Sequence, residues 1–377
     1  MIAVYGATGY TGRLVAAELA RRGLPARLCG RSGGKLRALR TSLGVDWDVR
    51  VAAIDDAAGL RRAFDGCSVV LSCAGPFTFY GAPVIEAALD VGAHYCDTTA
   101  EQLYMQGVFE HLGPVSSERG LAVVPAVGFD VVPGDLAAAL AARGVARVDE
   151  VVVAYAMTGF AMTRGTMRSA LEMLRGGELE YVDGGWRPAP RSVALAESFT
   201  FPAPVGEQPV VRFPGGEVVT VPRHVRTRAV RGRMTAESYA PHPALAGAVP
   251  YAMPALGVLL ATPLSAVADA VIDRLPEGPS EADRVAGRWT VVAEAQGEGA
   301  TGRCTISGSD PYGITAVIAV EFARILGSAS FTGSGALAPA QVTEPDELLT
   351  FLADHGVTYE APPPPKRRRA GKTPARS

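Results

Sequence analysis

Three glycines near the N-terminus have the spacing of a dinucleotide-binding turn. The chain begins MIAVYGATGYTGRLVAAELARRG, where Gly6, Gly9 and Gly12 form a GxxGxxG pattern between an apolar run and an amphipathic segment. Side chains at these positions would block the tight turn or keep a pyrophosphate from the N–H groups at the helix N-terminus, where the dipole favours negative charge. The pattern therefore predicts a dinucleotide site. The other cofactor-binding residues predicted in this turn are Thr8, Tyr10 and Thr11.

The end of the second predicted strand carries a cation where NAD-specific sites carry an acid. An acid about 20 residues beyond the glycines normally accepts a hydrogen bond from the ribose 2′-OH. This chain has Gly30, Arg31 and Ser32 there, followed by Lys35. A guanidinium pairs with a 2′-phosphate in bidentate fashion, and a serine hydroxyl can add a further hydrogen bond. We therefore expect NADP(H) as the cofactor; the alternative for Arg31 is a solvated loop arginine.

Two further strand ends complete the predicted cofactor site. Asp55 ends the third predicted strand and is expected beside the adenine. Small residues follow the fourth strand, where they let the backbone approach the nicotinamide ribose. These residues are Cys73, Ala74, Gly75 and Pro76.

Hydride transfer also requires a proton source, and four residues are candidates for the catalytic chemistry. Tyr80 follows the fourth strand and is the first candidate donor; stacking on the cofactor or core is its alternative role. Asp97 and Asp130 follow later strands on the same sheet edge, where they could orient a substrate amine or hold a loop. Arg164 could anchor a carboxylate or phosphate, or form a salt bridge at a helix start.

The elements that must position these residues predict an α/β protein. Apolar strands alternate with helices through residue 130, which is typical of a Rossmann-type, doubly wound parallel sheet. Beyond it, β-branched segments at 148–159, 192–201, 217–225, 288–299 and 301–310 predict a second, α+β domain with a mixed sheet. The predicted division is an NADP-binding domain (1–130), a substrate domain (131–335), a helical segment returning to the first domain (336–360) and a disordered basic tail (361–377).

Composition excludes several classes of function. Lys and Arg number 36 against 38 Asp and Glu, so no broad basic field for nucleic acid is expected. The 5 cysteines include no CxxC pair and the 5 histidines no HExxH motif, which argues against a disulfide framework and a metal site. We expect a cytoplasmic protein, because the N-terminus starts with a strand and shows no signal-peptide pattern.

A long uncharged segment favours an apolar partner. Residues 238–268 contain no charged residue besides His242, but five prolines argue against a membrane-spanning helix. A buried hairpin or pocket wall is the first interpretation. A surface for a lipid-like substrate or for peripheral membrane contact is the second.

Several motifs together resemble the saccharopine dehydrogenase-like oxidoreductases, in particular the branch with the trans-acting enoyl reductases. They are GATGYTG (6–12), GR with KL (30–36), CAGPFTFYG (73–81), HYCDTT (94–99), VGFDVVPGD (127–135), RGT (164–166) and GPSEADR (278–284). The resemblance implies a Rossmann domain with a second α/β domain and the use of NADP. This chain departs from the family's DTTGE segment, because Ala100 stands where the family has glycine before Glu101.

The residues and the resemblance together predict an NADPH-dependent oxidoreductase. Its expected reaction reduces an activated C=C or C=N bond in a lipid- or polyketide-like intermediate, free or linked to a carrier. Two alternatives stay open: a saccharopine-type reductase of amino-acid imines, and a sensor or scaffold that binds NADP(H) without catalysis. The sequence leaves a homodimer open as well.

Overall fold

Two β-sheets organise the protein. The computed structural model describes residues 1–190, 197–239 and 265–363, and the structural statements below concern these residues. One sheet is parallel, and the other is mixed. This confirms the predicted α/β architecture.

The first sheet has the strand order of a dinucleotide-binding fold. Its seven strands are all parallel and lie in the order β15-β6-β5-β4-β1-β2-β3. The order reverses between β1 and β4, so ligands are expected in the crevice beyond the carboxyl ends of these two strands. The strands are β1 (Ile2–Tyr5), β2 (Ala26–Gly30), β3 (Asp48–Val51), β4 (Val69–Ser72), β5 (His94–Asp97), β6 (Ala122–Val124) and β15 (Gly335–Ala336).

Helices connect these parallel strands. They are α1 (Tyr10–Arg21), α2 (Gly33–Leu43), α3 (Ala57–Phe64), α4 (Phe77–Asp90), α5 (Gln102–Gly107), a π-helical turn (Val108–Leu112) and α6 (Gly113–Glu118). Helix α4 begins at residue 77, directly after the turn that follows β4. Pro76 is its N-cap, and the carboxylate of Glu101 accepts hydrogen bonds from its first two N–H groups. Tyr80 therefore lies near the start of a helix.

The second sheet surrounds the long strand β7. Its order is β10-β11-β12-β7-β13-β14-β16, with β8 paired to β12 and β9 paired to β8. Only the β12–β7 pairing among these described strands is parallel. The strands are β7 (Val148–Thr158), β8 (Leu179–Val182), β9 (Gly185–Pro188), β10 (Glu197–Thr200), β11 (Glu207–Arg212), β12 (Ala229–Thr235), β13 (Arg288–Gly297), β14 (Ala300–Ser309) and β16 (Thr358–Glu360).

The remaining helices lie between and around the sheets. They are α7 (Val132–Ala142), α8 (Arg164–Gly176), α9 (Glu217–Thr220), α10 (Ala236–Tyr239), α11 (Ser265–Ile272), α12 (Glu281–Ala286), α13 (Pro311–Leu326) and α14 (Pro345–Ala353), with 3₁₀ turns at Val221–Arg223 and Pro339–Gln341. Helix α7 packs against β13 and β14, and α13 packs against α1. Chain segments after residue 131 thus contact both sheets, and the predicted domain boundaries stay predictions.

One predicted strand is wrong. The segment at 217–225 forms α9 and a 3₁₀ turn, because a short, fully buried apolar run has the same pattern in a strand and in a helix. The strand that joins the sheet nearby is β12. This strand was not predicted, since Arg231, Gly232 and Arg233 interrupt its apolar pattern.

Several predictions fall outside the described residues. Most of the uncharged segment (240–264) and nearly all of the basic tail (364–377) are among them. Within the described chain, no helix is long and apolar enough to cross a membrane. The same residues contain no cluster of side chains that could hold a metal ion, and the five cysteines are free thiols.

Candidate functional site

The glycine turn after β1 packs directly against the turn after β4. Gly6 has a φ of +76°, and a Cβ there would lie 3.0 Å from Ala74 and from Cys73. A Cβ on Gly12 would lie 2.2 Å from the carbonyl oxygen of Gly6. No side chain caps the N-terminus of α1, which begins after Gly9, and its first turn holds no acid. The open cradle and the uncapped N–H groups fit a pyrophosphate.

Cationic groups stand at the end of β2 on the same sheet edge. Arg31 is exposed, and no carboxylate in the described part of the chain pairs with it. Ser32 is the N-cap of α2, but its hydroxyl makes no capping hydrogen bond. Lys35 and Asp55 are also exposed. The structure therefore leaves Arg31, Ser32 and Lys35 available to a phosphate, and their roles remain predictions.

The turn after β4 connects the cofactor cradle to a cavity. Cys73 and Gly75 line this cavity, whereas Ala74 contacts the glycine turn. Burial raises the pKa of the Cys73 thiol to about 12, so the group stays a neutral thiol near pH 7.

The cavity has a volume of about 580 Å³ and extends from the first sheet to the second. Thr11 and Thr98 line it at the first sheet, and Met157 and Met234 line it at the second. Most of the other large lining side chains are apolar; they include Phe77, Phe129, Phe160, Met162, Met173 and Leu174. Among the described residues, Arg212 is the only cation in the lining, and it is paired with Glu178 at 2.8 Å.

Asp130 is the only one of the four predicted catalytic residues that lines the cavity. Burial raises the pKa of its carboxyl group to about 6. Within the described part of the chain, no donor forms a hydrogen bond with this carboxyl group. Asp130 is therefore placed to contact a ligand.

Asp97 is fully buried and holds the loop after β6. Its carboxylate accepts hydrogen bonds from the hydroxyls of Tyr104 (2.7 Å) and Tyr95 (3.0 Å). It also accepts from the backbone N–H groups of Thr99 (3.0 Å) and Ala126 (3.1 Å). Burial raises its pKa to about 6 despite these donors. This arrangement fits the loop-holding role that the sequence left open.

Tyr80 and Arg164 lie outside the cavity lining. The Tyr80 side chain is on α4, and the residue is 38% exposed. Arg164 begins α8, and its guanidinium donates a hydrogen bond to the carbonyl oxygen of Asp273 at 3.2 Å. Thr163 and Thr166, on either side of Arg164, do line the cavity. The catalytic roles of Tyr80 and Arg164 remain predictions that this geometry does not test.

A clasp joins the cofactor turn to the second part of the chain. The Tyr10 hydroxyl donates to the carbonyl oxygen of Pro279 at 3.0 Å, and its ring meets Tyr312 edge-on at 5.3 Å. Arg13 makes a bidentate pair with Glu277 at 3.1 and 3.0 Å. Because Tyr312 lines the cavity, the clasp fixes one cavity wall relative to α1.

Sequence reasoning missed Tyr155 and Glu217. Tyr155 lies on β7 and lines the cavity, and its hydroxyl donates a hydrogen bond to the buried Glu217 carboxyl. Burial raises the pKa of Glu217 to about 8. The one sequence feature that could have revealed Glu217 is its position as a lone acid at the start of the apolar run EVVTV. That run was interpreted as a strand, in which an acid looks like an exposed residue.

Comparison with known proteins agrees with the site at the first sheet. Residues 2–111 match the family described as saccharopine dehydrogenase NADP binding domain. A trans-acting enoyl reductase of Mycobacterium ulcerans is 37% identical over 140 residues, and one of Mycobacterium bovis is 36% identical over 140 residues. Each match spans 36% of this chain and 34% of the relative, so the chain matches about a third of the length of these relatives.

A solved structure supports the fold over nearly the whole chain. Saccharopine dehydrogenase (L-Glu forming) from Saccharomyces cerevisiae superposes with a TM-score of 0.61 at 13% identity. The superposition covers 96% of this chain and 99% of that one. The comparisons confirm the predicted resemblance, the NADP-binding domain and the two-sheet fold.

Proposed function

We propose that this chain, which carries a saccharopine dehydrogenase-type NADP-binding domain, is an NADPH-dependent oxidoreductase that reduces an activated C=C bond in an apolar, lipid- or polyketide-like substrate. The observation that carries the proposal is the continuity between the glycine cradle and a largely apolar cavity: Thr11, Cys73 and Gly75 belong to the predicted cofactor site and also line that cavity. A substrate there would lie beside the cofactor.

The chain's own residues bind and orient the cofactor in this proposal. Gly6, Gly9 and Gly12 admit the pyrophosphate, and Arg31 with Ser32 binds the 2′-phosphate. When bound, NADPH supplies the hydride. The cavity walls place the substrate beside it and exclude water, which is where much of the rate acceleration can arise.

The charge of the cavity favours an apolar substrate over saccharopine. A substrate with several carboxylates needs unpaired cations, whereas Arg212 is already paired with Glu178. Methionine and phenylalanine side chains suit an acyl chain, whose burial contributes about 0.8 kcal/mol per methylene. The names of the partly matching relatives support an enoyl substrate, free or linked to a carrier. Contact with a membrane and formation of a homodimer stay predictions.

The test is cofactor oxidation by the full chain with substrates of three kinds. We would mix the NADPH complex with a dodecenoyl thioester of N-acetylcysteamine, with the crotonyl thioester, and with an imine formed from glutamate and an aldehyde. We expect NADPH oxidation with the enoyl thioesters, faster with the longer chain at equal concentration, and none with the imine.

The alternatives give different results in the same experiment. Oxidation with the imine alone would establish the amino-acid reductase instead. Tight NADPH binding without oxidation in any mixture would indicate a sensor or scaffold. Equal rates for the two thioesters would contradict an apolar site for the acyl chain.

A further inference from the structure

The hydrogen bond between Tyr155 and Glu217 joins the cavity wall to a buried acid. Tyr155 is on β7, and its hydroxyl donates to Oε1 of Glu217 on α9. The hydroxyl also lies 3.5 Å from the carbonyl oxygen of Asp130, which lines the same cavity. Glu217 itself has no exposed surface and does not line the cavity. Tyr155 therefore stands between the acid and the ligand space.

Two glycines make room for this acid. A Cβ on Gly134 would lie 2.1 Å from Oε1 of Glu217, and one on Gly215 would lie 2.2 Å from Oε2. Oε2 is buried, and the described chain offers it no hydrogen-bond partner. No cation in the described chain pairs with this carboxyl either. Burying an unpaired carboxylate is costly, so the environment favours the protonated acid.

The other titratable groups nearby are mostly acids. Asp130 faces Glu217 from the loop before α7, and Asp135 faces it from α7. Asp135 is already satisfied by His224, at 2.7 Å, and by the N–H group of Ala340, at 2.8 Å. Negative charge on either aspartate opposes ionisation of Glu217, which again favours its protonated form.

We propose, building on the function above, that Tyr155 is the proton donor to the substrate and that Glu217 stores the proton and returns it to Tyr155. A protonated Glu217 can donate to the Tyr155 oxygen, which frees the phenolic hydrogen for the cavity. Glu217 acts through Tyr155 and has no contact with substrate.

The reaction balances with NADPH as the reductant. The β-carbon of the enoyl group gains a C–H bond with the hydride electron pair, and the C=C π pair shifts to the α-carbon. Tyr155 loses its O–H proton, which forms the C–H bond at the α-carbon. The Glu217 O–H bond breaks and restores the Tyr155 hydroxyl. The remaining Glu217 carboxylate regains a proton from solvent before the next turnover.

The pKa values of the two buried acids beside Tyr155 identify which one carries a proton near pH 7. Burial raises the pKa of Glu217 to about 8, whereas the pKa of Asp130 reaches only about 6. Near neutral pH, Asp130 is therefore mostly ionised and Glu217 mostly protonated. Glu217 is the acid with a proton to supply.

Four variants test the pair: Tyr155→Phe, Glu217→Gln, Tyr80→Phe and the control Tyr181→Phe. Tyr181 is buried on β8 and packs against Trp186, outside the cavity lining, so its change removes a phenol without touching the site. Each variant would be measured for NADPH affinity, melting temperature and single-turnover oxidation of NADPH by the dodecenoyl thioester between pH 6 and 9.5. Infrared spectra of the protein without cofactor would record the carboxylic-acid C=O band at pH 7.

Tyr155→Phe is expected to bind NADPH normally and to transfer hydride roughly 10²- to 10⁴-fold more slowly, the loss typical of a general acid. The rate of hydride transfer by the wild type should fall above about pH 8, and Glu217→Gln should not show this fall. The carboxylic-acid C=O band of Glu217→Gln should also be weaker by the contribution of Glu217. If Tyr155→Phe instead shows a lower melting temperature or a weaker affinity for NADPH, its slow transfer reflects damage to the fold. In that case the pH profile and the infrared band of Glu217→Gln test the proposal.

Two results would contradict the proposed roles of Tyr155 and Glu217 without contradicting the proposed function. One is wild-type transfer rates and pH profiles in both Tyr155→Phe and Glu217→Gln. The other is a large loss in Tyr80→Phe with none in Tyr155→Phe, which would assign proton donation to Tyr80. A wild-type protein that oxidises no NADPH with the thioester contradicts the proposed function, and the donor assignment fails with it.

Discussion

At the scale of single residues, we propose that the choice of cofactor depends on Arg31. Its side chain is exposed beyond β2 on the sheet edge that carries the glycine turn. No carboxylate in the described chain competes for it. An unpaired guanidinium is available to a 2′-phosphate, which NADPH has and NADH lacks.

We predict that Arg31→Ala weakens NADPH binding roughly 10- to 100-fold, because a charge-assisted contact of about 1.5–3 kcal/mol is lost. NADH affinity should hardly change. Fluorescence titration with both cofactors measures this. Arg62→Ala, which removes an exposed arginine on α3, is the matched control. Equal losses of affinity for NADPH and NADH would show that Arg31 does not bind the 2′-phosphate.

Among the acids, burial separates residues that looked alike in the sequence. Asp97 and Asp130 both follow strands of the first sheet. The carboxylate of Asp97 accepts hydrogen bonds from two tyrosine hydroxyls and two backbone N–H groups. The carboxyl group of Asp130 has no such donors in the described chain, and Asp130 lines the cavity. One therefore fixes a loop, and the other is free to meet a ligand.

At the scale of elements, Glu101 fastens the start of α4 to α8. Its two oxygens accept hydrogen bonds from the N–H groups of Phe77 and Thr78, both at 2.8 Å. They also accept from the hydroxyls of Thr78 (2.6 Å) and Ser169 (2.7 Å). Ala100, where the family has glycine, is not among the described non-glycine residues with positive φ, so its Cβ causes no backbone strain.

We predict that Glu101→Gln destabilises the protein by about 1–3 kcal/mol, because an amide nitrogen cannot accept a hydrogen bond and leaves a buried donor unpaired. NADPH affinity should also fall, since Gly75 and Ser169 line the cavity beside these bonds. Urea unfolding gives the free energy, with Glu118→Gln as a control on the exposed end of α6. A loss below 0.5 kcal/mol, about that of an ordinary surface change, would contradict the fastening role.

At the scale of the whole molecule, the folded protein buries carboxyl groups that become exposed to water when it unfolds. Burial raises the pKa of Asp97 and Asp130 to about 6 and that of Glu217 to about 8. Each group holds a proton in the folded state at pH values where the unfolded chain has lost it. Stability is therefore greatest below the unfolded pKa and is lost as pH rises through the folded pKa.

We predict that the free energy of unfolding of the wild type falls between pH 6 and 8, by at most about 1.4 kcal/mol per pH unit from Glu217. Glu217→Gln should lack this contribution. The difference between the two proteins isolates it, because His224, with a raised pKa, and His94 and His355, with lowered pKa values, titrate in both. Urea titrations at pH 6, 7 and 8 measure the difference; parallel curves would show that Glu217 is ionised throughout.

The sequence by itself determined the parts of this protein that are local. The glycine turn, the cation after β2 and the alternation of apolar strands with helices in the first sheet are patterns of consecutive residues, so they are visible in the chain. The second sheet was predicted in outline from β-branched segments. Its strand β12 was missed and α9 was misassigned, because a short buried run does not reveal its partners.

The tertiary structure alone decided the cavity and the burial of the acids around it. Tyr155 and Glu217 are 62 residues apart, and the cavity joins the turn at Cys73 to strands more than 80 residues later. Whether an acid is exposed, saturated or buried without a partner depends on such distant contacts. That is why the sequence placed Asp97 and Asp130 on one sheet edge without distinguishing them, and why Glu217 was recognised only once the chain was folded.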